Sequence, residues 1–376
     1  MIQAVQDDSE GKQNEADELL SGGQPIQILP GKSDLVPTAF DSELAANLGG
    51  DWQSALKRSI RSSDDLRRIL GLPKVDSDLA SSNGSSFPTF VPWEYLARIR
   101  PGDPDDPLLR QVLHVAEEDQ NVAGFDSDPV GDLKALAAGG LLHKYSGRAL
   151  LITTGACGVH CRYCFRREFP YSEAGSRSED WSPSLQYLKQ HREIDEVLLS
   201  GGDPLTVSDG KLDDLISRLE AIEHLRRLRI HSRMPVVIPQ RVTSGLVDRL
   251  ANSRLAVWFV IHANHANELD SAVLGATSKL VSAGIPVLNQ AVLLRGVNDS
   301  ATALIDLCRK LIDHRIQPYY LHQLDRVRGA AHFEVPIAEG NELIDQVRKS
   351  LPGYAVPTYV FEQSGQESKT PITDNQ

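Results

Sequence analysis

The chain has 376 residues, more than one small core usually holds, so one large domain with appended segments is expected. Its net charge of -12 speaks against a broad nucleic-acid-binding face, which needs clustered Lys and Arg, and suits a cationic small substrate. No stretch approaches roughly 18 apolar residues and the N-terminus lacks a basic-then-apolar pattern, so no membrane segment and a cytoplasmic location are expected.

Residues 1–33 are rich in Gln, Asp, Glu, Ser and Gly and cannot bury enough apolar surface to offset the entropy of ordering, which predicts a disordered tail. Residues 34–145 read as a helical lead-in domain. Short helical patterns follow Ser or Asp caps, Gly71 and Pro73 stop the last of them, and a Pro/Gly/Ser-rich connection runs between Ser81 and Pro107. Over 146–335 apolar runs alternate with amphipathic helical patterns. The runs at 149–153, 196–200, 227–231, 256–261, 287–293 and 318–322 are strand candidates, and helices are predicted at 184–191, 211–222, 244–251, 268–283 and 301–313. Six β-α units predict an α/β fold with an incomplete parallel barrel, whose chemistry sits at the C-terminal strand ends. A helix and a polar segment, 336–376, close the chain.

The residues just past each run carry the candidate chemistry. After the first come Cys157, Cys161 and Cys164, spaced C-x3-C-x2-C. Three thiolates can hold three corners of a [4Fe–4S] cluster and leave the fourth iron open to a small molecule. Cys308, the remaining cysteine, lies in an amphipathic helical pattern and reads as a buried apolar side chain, so neither a disulfide framework nor a four-cysteine site is indicated. His160, between the cysteines, is given no role. After the second run, Gly201-Gly202-Asp203-Pro204 offers glycines that let a backbone approach a ligand and a carboxylate that can accept from an ammonium group. After the third stands His231-Ser-Arg233-Met-Pro, and after the fourth His262-Ala-Asn-His265, read as hydrogen-bonding histidines rather than a metal pair.

The cysteine spacing, with an aromatic before the last cysteine, resembles the radical S-adenosylmethionine (SAM) superfamily, and Cys161-Arg-Tyr-Cys-Phe-Arg-Arg resembles its lysine 2,3-aminomutase branch. The resemblance covers about residues 85 to 373. It implies that Cys157, Cys161 and Cys164 hold the cluster. Gly201, Gly202 and Asp203 then meet the SAM amino group, Arg233 the SAM carboxylate, and His262 belongs to the SAM pocket. Lys369, in a segment that composition alone would make a solvated tail, corresponds to the lysine that forms a Schiff base with pyridoxal 5′-phosphate (PLP). It must then fold back into the barrel mouth. Lys144 and Arg148 match phosphate-binding positions, Lys144 replacing the usual arginine, and Gln290 aligns with a further PLP contact. Arg166 corresponds to the arginine that pairs with the substrate carboxylate. Asp325 and Glu362 correspond to the carboxylates around the side-chain ammonium of lysine, Glu362 replacing an aspartate.

Departures from clostridial-type members, including Ser300 in place of a cysteine and a C-terminus at Gln376, imply no structural zinc. The stretches from Tyr320 to Phe333 and from Glu367 to Pro371 resemble bacterial aminomutases that make (R)-β-lysine for elongation factor P. The implied reaction moves the 2-amino group of L-lysine to C3 after reductive cleavage of SAM. A donor such as flavodoxin or ferredoxin supplies the electron, and the elongation factor P lysine ligase pathway takes the product. A catabolic enzyme giving (S)-β-lysine, or an aminomutase for another amino acid, is the alternative. An electron-transfer module, or a radical SAM enzyme working without PLP, would not need Lys369, Arg166 and the paired acids.

Overall fold

The structure is a computed structural model that describes residues 39–73, 87–171 and 180–373; the tail expected over 1–33 and part of the connection, 81–86, lie outside them. A ten-stranded sheet runs in chain order. β1 (Leu136–Ala138), β2 (Leu141–Tyr145) and β3 (Arg148–Thr154) are antiparallel neighbours. β4 (Glu196–Gly201), β5 (Arg227–Ser232), β6 (Ala256–Ile261), β7 (Val287–Val292), β8 (Gln317–His322) and β9 (Thr358–Phe361) continue from β3 in parallel. β10 (Thr370–Pro371) turns back on β9, pairing Thr370 with Phe361 and Pro371 with Val360.

The six expected strands are β3 to β8, an incomplete parallel barrel. β9, after the helix Ile337–Ser350, extends the parallel run beyond them. β1 and β2 correct the purely helical reading of 34–145: Gly147, at φ 77°, turns the chain so that Leu141 and Leu142 pair with Leu151 and Leu150. The strands are also less uniformly apolar than double-sided burial requires. In β4 and β5, Val197, Leu199, Leu228 and Ile230 are buried, whereas Glu196, Ser200, Arg229 and His231 alternate with them and line a central cavity. Period two thus sends one set of side chains into the core and the other into the cavity.

The helices Ser182–Gln190, Asp209–Glu220, Ser244–Ala251, Ser271–Ser282 and Ala301–Asp313 separate the strands. Their starts follow from side-chain caps: Thr243, Asp270 and Ser300 accept from the amides of Leu246, Val273 and Ala303. Leu304, Leu307, Cys308 and Leu311 form the buried stripe of the last of these, which places Cys308 in the core as read. Trp52, in the helix Trp52–Arg58, stacks under Arg241 at 4.5 Å, tying the lead-in segment to the barrel.

Candidate active site

The alternate strand positions and the loops after β3, β4, β5, β6 and β8 enclose a cavity of about 650 Å³, and every predicted site residue lines it. The cysteine loop is held from behind. Arg162, fully buried, sets Nε and Nη2 on Glu118 at 2.8 and 2.6 Å, and Arg167 Nη2 reaches the same carboxylate at 2.9 Å. Cys157, Cys161 and Cys164 meanwhile face the cavity. Burial and the neighbouring cysteines push the Cys157 thiol well above its ordinary range and Cys164 to about 11, a cost that a cationic cluster would reverse. Among the described residues no three His, Cys, Asp or Glu side chains converge on a single ion. A cubane takes one iron per thiolate and asks for a wider triangle.

The glycine pair serves the protein before any ligand. A Cβ on Gly202 would stand 2.3 Å from Ala156 O, and one on Gly201, at φ 111°, 2.8 Å from Ile152 Cγ2. The end of β4 therefore packs directly on the cysteine loop, with Gly202 N donating to Thr154 O and Asp203 N to Ala156 O. The Asp203 carboxylate is engaged within the protein: Oδ1 accepts from Leu205 N and Ser232 Oγ, and Oδ2 from Arg233 N and Met234 N. Four donors saturate two oxygens. Arg233 is anchored at one end, where Nη2 donates to Glu268 at 2.8 Å and to Gln111 at 2.6 Å, while its buried Nε has no partner among the described residues.

On another wall, charges alternate along a chain of side chains. Lys369 Nζ donates to Glu362 Oε2 at 2.6 Å, and Lys144 Nζ reaches Glu362 Oε1 at 2.8 Å and Asp132 Oδ1 at 2.6 Å. Asp132 Oδ2 then accepts from Arg166 Nε at 2.7 Å. Lys144 also donates to Val130 O, so its three N–H groups are engaged within the protein. Burial opposes the charge on Glu362, yet Lys369 and Lys144 hold its carboxyl far below the usual range. Asp325 behaves oppositely: burial, reinforced by Glu362 and opposed by Lys369, pushes it up to about 7. Arg148, the other phosphate candidate, lies over the Tyr145 ring at 4.5 Å.

The Radical SAM superfamily pattern matches residues 151–308. An L-lysine 2,3-aminomutase of Escherichia coli (strain K12) is 45% identical over 323 residues, covering 86% of this chain and 94% of that one. The chain belongs to this aminomutase family. Another member with the same name, from Haemophilus influenzae, is 42% identical over 320 residues, 85% of this chain and 95% of its own. The one from Clostridium subterminale is 36% identical over 326 residues, 86% of this chain and 78% of its own.

The aminomutase cavity fits polar cofactors. His262 lines it, and the Nε2 atoms of His231, His262 and His322, all buried, have no partner among the described residues. Burial lowers all three imidazoles, His262 to about 4, so they face the cavity as neutral rings able to donate or accept. Gln290 is beside them on the β7 wall. Sequence reasoning missed Asp132 and Glu268. Asp132 sits in a Ser/Asp/Pro/Gly turn, and Glu268 follows the His262 motif closely enough that its carboxylate was the available signal. No helix among the described residues is long and apolar enough to cross a membrane.

Proposed function

We propose that this chain is a radical SAM isomerase that moves the 2-amino group of L-lysine to C3 to give β-lysine. The observation that carries this reading is the convergence, in one cavity, of three cysteines, a lysine on a hairpin, an arginine and two carboxylates. When bound, the cluster and SAM supply one-electron chemistry and PLP carries the migrating nitrogen.

The protein's own residues bind and orient. Cys157, Cys161 and Cys164 hold the cluster, and the packed backbone of Gly201 and Gly202 forms the SAM shelf with His262. Lys369 is the covalent anchor for PLP, with Arg148 as the cation at its phosphate and Gln290 at its ring. Arg166 has Nε fixed on Asp132, which aims the rest of its fork at the substrate carboxylate. Asp325 and Glu362 take the side-chain ammonium. An arriving cation favours ionised Asp325, so a carboxyl that rests near neutrality in the cavity becomes a full partner only when a cation joins it. Glutamate, with a carboxylate in place of that ammonium, is repelled. The barrel wall keeps water from the reacting carbons.

The motifs around Tyr320–Phe333 and Glu367–Pro371 support (R)-β-lysine as product and elongation factor P as its destination, in the cytoplasm, with flavodoxin or ferredoxin as reductant. The test is anaerobic turnover of iron-reconstituted protein with dithionite, SAM, PLP and L-lysine, followed by chiral chromatography. Accumulation of (R)-β-lysine is expected. The (S) product would reject the elongation-factor branch, and SAM cleavage without β-lysine would reject the substrate.

A further inference from the structure

Arg233 occupies a socket built around one cysteine. Its Nη1 stands 2.7 Å from Cys161 Sγ, while Nη2 is anchored on Glu268 Oε2 and Gln111 Oε1. The guanidinium lies between the rings of Tyr95 and Tyr163, its Cζ 5.5 and 5.6 Å from their centroids. Its side chain is 7% exposed, and that of Glu268 is fully buried. The socket is itself fixed: Glu268 Oε1 accepts from Gln111 Nε2, Asn264 N and His265 N, and Asp203 holds the Arg233 amide.

One N–H of a rigid, charged fork is therefore directed at one thiol of the trio, with one carboxylate balancing its charge. Reduction adds a negative charge to a cluster, and a donor or cation at a ligating sulfur stabilises that state. Resting on the reading of Cys161 as a cluster ligand, we infer that Arg233 is a positioning residue that raises the cluster's reduction potential through Cys161, and that Glu268 sets how much of its charge the cluster feels.

The experiment is redox potentiometry followed by electron paramagnetic resonance on reconstituted wild type, Arg233→Gln and Glu268→Gln, with no lysine or PLP added, and with SAM affinity measured alongside. Arg233→Gln should move the midpoint to a more negative value. Glu268→Gln should move it to a more positive one, because Gln111 Oε1 still accepts from Nη2 and holds the guanidinium, which loses its counter-charge. Opposite shifts from two neighbouring residues are not what general loosening of the site produces. Unchanged midpoints, or shifts of the same sign, overturn the inference. So does a SAM affinity at least about tenfold weaker in Arg233→Gln at an unchanged midpoint, which would return the arginine to the SAM carboxylate. If Arg233→Gln fails to retain iron, the sign of the Glu268→Gln shift decides alone. Absence of any cluster signal in the wild type would instead reject the aminomutase reading.

Discussion

The buried Asp325 carboxyl, proposed above to meet the substrate ammonium, also bears on stability, and the size of that effect can be worked out. Its carboxyl is pushed from 3.8 to about 7, with burial as the main cause. Between those values the folded protein keeps a proton that the unfolded chain releases, so rising pH favours unfolding by up to about 1.4 kcal/mol per unit. The full displacement is worth up to about 4 kcal/mol, reached near pH 8, of which about 1–2 kcal/mol is already present at pH 5. Water in the cavity reduces this ceiling. Asp325→Asn keeps the shape and removes the ionisation. The variant should therefore be more stable than wild type, with an advantage that grows by about 2–3 kcal/mol from pH 5 to pH 8. Urea unfolding of the cofactor-free protein at several pH values reads the difference directly. A stability gap that stays flat with pH would refute the reasoning. In the same variant, turnover of L-lysine should fall because the ammonium loses a partner, so one change separates stability from function in opposite directions.

Glu118→Ala strips Arg162 and Arg167 of their shared carboxylate beneath the cysteine loop. It should cost about 3–5 kcal/mol, seen as a lower melting temperature and poorer iron retention. Gly202→Ala forces a methyl group to within 2.3 Å of Ala156 O, so the loop must move; iron content and SAM affinity should both drop while the melting temperature changes less. Lys369→Ala should show no visible absorption from bound PLP and no turnover, with the cluster's resonance signal intact. Retained turnover would remove Lys369 from its covalent role.

The parts of the fold that were legible in the sequence are those set by local pattern. The runs at 149–153 and 256–261 were found nearly to the residue because apolar, β-branched segments flanked by caps are self-announcing. β1, β2 and β10 are two to five residues long and owe their form to the neighbours they pair with, which no window of sequence displays. The same distinction governs the site. The motifs supplied every cavity-lining residue that was named, but not what each side chain would hold. Lys144 and Glu362 are separated by 218 positions, and Arg233 and Gln111 by 122. Residue type announced a cation at 144 and at 233. Only the fold revealed that a carboxylate already stood beside each one, with Asp132 and Glu268 buried to 2% and 0% exposure.

Lys369 rides on the sheet's outermost piece. Lys369 immediately precedes β10, which is two residues long and among the described residues pairs with β9 alone, and beyond it Ile372 adds one amide bond to Tyr359 O and a small apolar anchor. Lifting this flap breaks a few ladder bonds and the ion pair to Glu362, and leaves β3 to β8 untouched. Opening there would draw on the local end of the stability scale rather than the global one, which suits admission of the cofactor proposed to be anchored on Lys369. Amides of 370–372 should accordingly exchange with solvent far sooner than those of β5 and β6, at a rate set by the flap alone.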